Sequence, residues 1–141
     1  MQEQKQLYDQ DIHHKIMAVK INDEHYRYGM SEEELYGVVR GIWRASQKKA
    51  MEVDYVFGVY KSIIVAVYKP SRWFVCKDAS NRLPRKDIVL TERNQNRIFF
   101  EDDNFEKGIV DENQMFYQGK SIESLSINSK GQNPVMYINP K

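Results

Sequence analysis

The sharpest pattern of apolar and polar positions lies in 34–44, where Leu35, Val38, Val39, Ile42 and Trp43 fall at helical spacing. Tyr36, Arg40 and Arg44 recur every fourth residue and make a second stripe, aromatic then basic. Ser31 followed by Glu34 is a capping box. Acidic Glu32–Glu34 suit the start of a helix, and Arg44, Lys48 and Lys49 suit its end. The pattern predicts one main helix over 31–48. Gly37 and Gly41 leave one flank of it as bare backbone. A glycine costs about 1 kcal/mol in a helix interior relative to alanine. Two in one helix imply a close approach, by a neighbouring strand or by a ligand.

Elsewhere the pattern is that of short strands. Lys15–Ile21 reads as the first, and Asn22–Met30 as a loop. Val53–Tyr60 and Ile63–Tyr68 are rich in β-branched and aromatic residues, and Lys61-Ser62 joins them as a hairpin. Both are nearly continuous in apolar character, which implies burial on both faces. Pro70 ends the second, and a further strand starts near Arg72–Val75. The stretch 77–96 is a long basic surface loop with one short strand at Ile88–Leu90. Arg97–Phe100 is a strand, and Glu101-Asp102-Asp103 a solvated acidic turn. Met115–Tyr117 is a short strand or a helix entry, Ser121–Leu125 one helical turn, and Val135–Asn139 the closing strand. Residues 1–14 read as a polar arm, with 15–141 as a single domain. The expected class is α+β: a small mixed, mainly antiparallel sheet or partly closed barrel with one main helix.

At 141 residues, a single core needs neither metal nor disulfide for stability. Hydrophobic residues are 41% and charged residues 29%, an ordinary globular balance. The formal net charge of +1 argues against a dedicated high-affinity nucleic-acid binder but leaves room for a local basic patch. Cys76, the lone cysteine, follows Trp73-Phe74-Val75 and reads as a buried, inert thiol. The start of the chain carries no apolar signal region, and no apolar run reaches membrane-spanning length; a cytoplasmic location is the expectation. His13, His14 and His25 show no metal-ligand spacing, and no catalytic set stands out, so neither a metal, a cofactor nor an enzymatic activity is expected.

Several residues carry chemistry with two readings. Arg40 and Arg44 suit bidentate phosphate contacts, or Arg40 pairs with Glu33 or Asp54 and tethers the helix. Trp43 belongs to the core by its place on the stripe, whereas Trp73, after a proline at a strand edge, could stack on a base. Gly119-Lys120-Ser121 could form a small anion nest. Gln132 and Asn133 could read adenine edges, or Asn133 nucleates a turn before Pro134. Gly58-Val59-Tyr60 and Tyr117-Gln118-Gly119 imitate the halves of a GIY-YIG signature but stand too far apart to form one hairpin.

The ordered series Arg40–Arg44, Tyr55–Tyr60, Ile64–Tyr68, Trp73, Arg97–Phe100, Gly119–Ile122 and Gly131–Asn139 resembles a bacterial domain found after GIY-YIG nuclease-like domains and also on its own. The resemblance runs from Lys15 to Lys141, and the chain departs from that pattern at Val38-Val39, Asn96 and Gln118. It implies a DNA-associated accessory module, with a separately encoded nuclease as one partner. The contact face expected from the residues comprises Arg40, Arg44, Trp73 and Lys120, with Arg82, Arg85 and Lys86 adding phosphate contacts and Gln132 and Asn133 reading bases. DNA and RNA both remain open as partners. The alternatives are a protein-interaction or homodimerisation module, suggested by abundant Tyr, Phe and Met, and a nucleotide-sensing domain.

Overall fold

The computed structural model describes residues 5–127 and 133–141. Among these residues seven strands form two sheets: β1 (Ile16–Lys20), β2 (Gly41–Trp43), β3 (Tyr55–Tyr60), β4 (Ile63–Tyr68), β5 (Arg72–Val75), β6 (Ile98–Glu101) and β7 (Val135–Ile138). The first sheet runs β4-β3-β1-β7, and the second β2-β6-β5. All neighbours are antiparallel except β1 and β3, which run parallel. The fold is α+β, and neither sheet closes into a barrel.

Strand alternation sorts the core. Ile16 and Ala18 of β1, with Phe57 of β3, face a layer built from Leu7, Ile12, Tyr117, Ile122 and Leu125. Met17, Val19 and Val56 face the other way, onto α1 (Glu32–Arg40) and the β6 side chains Ile98 and Phe100. A third cluster, Cys76, Ala79 and Phe99, lies on the outer face of the second sheet. The four-stranded sheet is therefore covered on both sides, as the continuous apolar runs of β3 and β4 require. Residues 5–14, expected as an arm, supply two fully core-facing side chains, with Leu7 donating its amide to Ser121 at 2.9 Å.

The main helix is shorter than its apolar stripe suggests. Ser31 accepts from the Glu34 amide and the capping box is complete, but the helix ends at Arg40. Gly41 sits at φ 134° and ψ −170°, a region essentially restricted to glycine. The chain leaves the helix there and becomes β2; Ser46 then caps a separate short helix, α2 (Gln47–Ala50). Both turn residues of the β3–β4 hairpin, Lys61 and Ser62, have positive φ, matching the twist of a two-residue hairpin.

Three further expectations are corrected. Ile88–Leu90 forms no strand; the loop is pinned instead by Asn94, which accepts from the Thr91 amide and donates to the Val89 carbonyl. Glu101-Asp102-Asp103 is not a solvated turn. Glu101 ends β6 and is buried, and Asp102, fully buried, caps α3 (Asp103–Glu106). Met115–Tyr117 lies in α4 (Glu112–Tyr117), and Ser121–Leu125 holds a β-bridge and turns rather than a helix.

Candidate functional site

Glu101 decides the fate of three arginines. Arg82 grips its carboxylate through Nη2 at 2.6 Å and Nε at 3.0 Å, Arg72 reaches it at 3.0 Å, and Arg40 lies 3.7 Å away. Burial pushes the Glu101 carboxyl up, but the Arg82 and Arg72 hydrogen bonds prevail and hold it below its ordinary range. Arg40 also donates to the Phe100 carbonyl and lies 4.9 Å over the Tyr36 ring. Arg82 covers the Phe74 ring at 5.0 Å. These guanidiniums fasten α1, β5 and the loop after it to the end of β6. Arg40 and Arg82, both expected at the contact face, pair with Glu101, and the partner of Arg40 is Glu101 rather than Glu33 or Asp54.

Arg85 answers the glycine question. Its Nη1 donates to the Gly37 and Gly41 carbonyls at 3.4 and 3.2 Å, and its Nε pairs with Asp87 at 3.1 Å. A Cβ on Gly37 would meet Arg85 Cγ at 3.3 Å, and one on Gly41 the Ile98 carbonyl oxygen at 2.8 Å. The bare flank of α1 thus receives the 84–85 loop and β6, not a ligand.

Other expected contact residues disperse. Trp73 is half-buried with its ring 5.2 Å from Phe100, and so serves the core instead of standing free to stack. Lys120 turns back onto the helix that precedes it: its ammonium lies over the Phe116 ring and donates to the Phe116 carbonyl, and burial pushes its pKa down. Its carbonyl accepts from the Ile64 amide on β4. Asn133 uses its side-chain oxygen to accept from the Val135 amide at 3.0 Å, the turn role, and Gln132 lies outside the described residues. Arg44 and Lys86 are exposed and form no ion pair among the described residues.

The basic and aromatic groups do meet in one concavity, at the seam between the two sheets. A cleft of about 440 Å³ is walled by the β1 end (Lys20, Ile21), by β2 with Trp43, and by the loop carrying Arg85, Ile88, Val89 and Arg97. Three cationic side chains line it against one carboxylate, Asp87. Arg97 is placed by its backbone: its amide donates to the Asn94 carbonyl and its carbonyl accepts from the Cys76 amide. Its side chain has no carboxylate partner among the described residues, and its Nε is buried without a hydrogen bond. Such a group is costly to leave unmatched. Trp43 is held by donating its indole N–H to the Val39 carbonyl at 2.8 Å. His25, also on the wall, has Nδ1 2.9 Å from the Asn22 side-chain oxygen. Arg44, Lys86 and Arg93 are the chain neighbours of the cleft residues Trp43, Arg85 and Asn94.

Of the cleft residues only Arg85 was expected at a contact face. Arg97 and Lys20 were missed because neither has a local motif, and Trp43 because its helical spacing pointed inward. Cys76 is fully buried, and burial raises its thiol pKa, consistent with an inert role. Among the described residues no group of three or more His, Cys, Asp or Glu side chains could hold a metal ion, and no helix is long and apolar enough to cross a membrane. No protein-family model, no curated protein and no solved structure matches the chain.

Proposed function

We propose that this protein is a non-enzymatic module that associates with nucleic acid, DNA in the first instance, through the cationic cleft between its two sheets. The observation that carries the reading is Arg97: a guanidinium without a counter-ion among the described residues, in a concavity that also holds Arg85, Lys20 and a fixed tryptophan. Guanidinium forks suit phosphate oxygens and an indole suits a base, so phosphate and base contacts are both within the chemistry of the wall. The resemblance to a domain that accompanies GIY-YIG nuclease-like domains agrees with this and makes a separate nuclease one further partner. Fluorescence polarisation of labelled single- and double-stranded DNA and RNA, across a salt series, tests it. Binding that weakens steeply with salt is expected. No binding to any of the four at low salt would remove the reading.

A second reading, self-association, is favoured by one surface. Ile109, Val110, Met115 and Phe116 are all about half exposed or more, on α4 and the turn before it. Exposed apolar side chains on adjoining segments are a common feature of interfaces. A second copy of this chain is the occupant proposed, because one patch can pair with itself across a two-fold axis.

A further inference from the structure

The cleft's dimensions, charge and rigidity narrow its occupant. A volume of about 440 Å³ lies in the range of sites that enclose one small ligand. A base-paired duplex is far too wide to enter it. Positive charge is concentrated on the loop side, where Arg97 has no acidic partner and where Arg85 is oriented in advance by two carbonyls and Asp87. The remaining wall mixes polar groups, among them Lys20, Asn22, His25 and Asn94, with an apolar part. The apolar part includes Trp43, whose indole is anchored to the Val39 carbonyl, and Ile88 and Val89, the latter 74% exposed. Cationic side chains beside a fixed indole and two aliphatic side chains match a phosphate joined to a heterocyclic base.

We propose that the cleft binds one unpaired nucleotide unit, with its phosphate on Arg97 and its base against Trp43 and the Ile88–Val89 rim. The proposal rests on the nucleic-acid reading and makes it specific. A nucleoside monophosphate and one unstacked residue of a strand present the same chemistry, so either source can fill the site. The anion supplies the counter-ion that Arg97 lacks among the described residues, and a guanidinium–phosphate contact of this kind is among the stronger charge-assisted hydrogen bonds.

Titration calorimetry on the full chain tests it, with nucleoside monophosphates, the matching nucleosides, inorganic phosphate, a single-stranded tetranucleotide and a short duplex. Monophosphates and the tetranucleotide are expected to bind and to displace one another. The nucleosides and inorganic phosphate should bind at least about tenfold more weakly, each lacking half of the recognised unit. Arg97→Gln should weaken both ligands about tenfold or more. Val89→Glu, at an exposed position, should weaken them while leaving the melting temperature unchanged. Strand binding that ignores monophosphate competitors, Arg97→Gln and Val89→Glu would overturn the cleft proposal and leave the nucleic-acid reading intact. Monophosphate binding with no strand bound at any salt would uphold the cleft and remove the nucleic-acid reading. Inorganic phosphate binding as tightly as the monophosphates would overturn the nucleotide assignment.

Discussion

Arg40 donates its Nε hydrogen to the Phe100 carbonyl oxygen at 2.7 Å, joining the last residue of α1 to β6. That bond turns a residue with phosphate-binding chemistry into a structural clamp. Its guanidinium is nearly buried and also lies 3.7 Å from Glu101. Arg40→Met keeps the apolar stem, removes the bond and leaves a carbonyl unmatched. A loss of about 1–3 kcal/mol is expected in urea denaturation. Oligonucleotide binding measured well below the unfolding midpoint should stay at the parent value. Unchanged stability together with lost binding would return Arg40 to the contact face.

Gly41 provides a test of the helix boundary. Its φ of 134° disfavours any side chain, and a Cβ there would stand 2.8 Å from the Ile98 carbonyl oxygen. Strain and collision act together, so Gly41→Ala should cost about 2 kcal/mol or more. Were α1 to continue through 41, the same change would stabilise by about 1 kcal/mol, as it does in a helix interior. Thermal denaturation of the two proteins separates these signs.

Acid stability should follow Glu101. Its folded pKa lies below the ordinary value of 4.5, so its contribution is complete above that value and is lost as pH falls through the folded one. Asp103, held down by Arg72, acts in the same direction. Asp102 opposes them: burial raises its pKa, so acid relieves the cost of its charge. The net expectation is a urea midpoint that falls between about pH 6 and about pH 3, and falls less in Glu101→Gln. An equal fall in both proteins would assign the acid sensitivity to other groups.

The exposed apolar patch yields a separate outcome. Met115 is 70% exposed, so Met115→Asp should leave the fold intact. Sedimentation velocity should show concentration-dependent association of the parent and its loss in the variant. A parent that stays monomeric at all concentrations would end the self-association reading.

Local signals were legible in the sequence where they were complete. The Ser31–Glu34 box started α1, and Lys61-Ser62 with its flanking β-branched runs gave the β3–β4 hairpin. The end of α1 was not legible, because Ile42 and Trp43 happen to continue the helical stripe and three residues of β2 are too few to reveal a two-residue period. The second sheet was hidden for a similar reason: β2, β5 and β6 are short and joined only by long-range pairing. The site was least legible of all. Arg40, Arg72 and Arg82 look no different in sequence from Arg97, and only the fold brings the first three to Glu101 while leaving the last without a carboxylate among the described residues.

The slope of affinity against salt for single-stranded DNA, compared across variants by fluorescence polarisation, is the most direct measurement. If the cleft and its rim make the contacts, Arg97→Gln and Lys86→Ala should each weaken binding and reduce the slope by about one phosphate contact, whereas Arg40→Met should leave it unchanged. A slope insensitive to Arg97 and Lys86, or one reduced by the loss of Arg40, would contradict the assignment of nucleic-acid contact to this cleft.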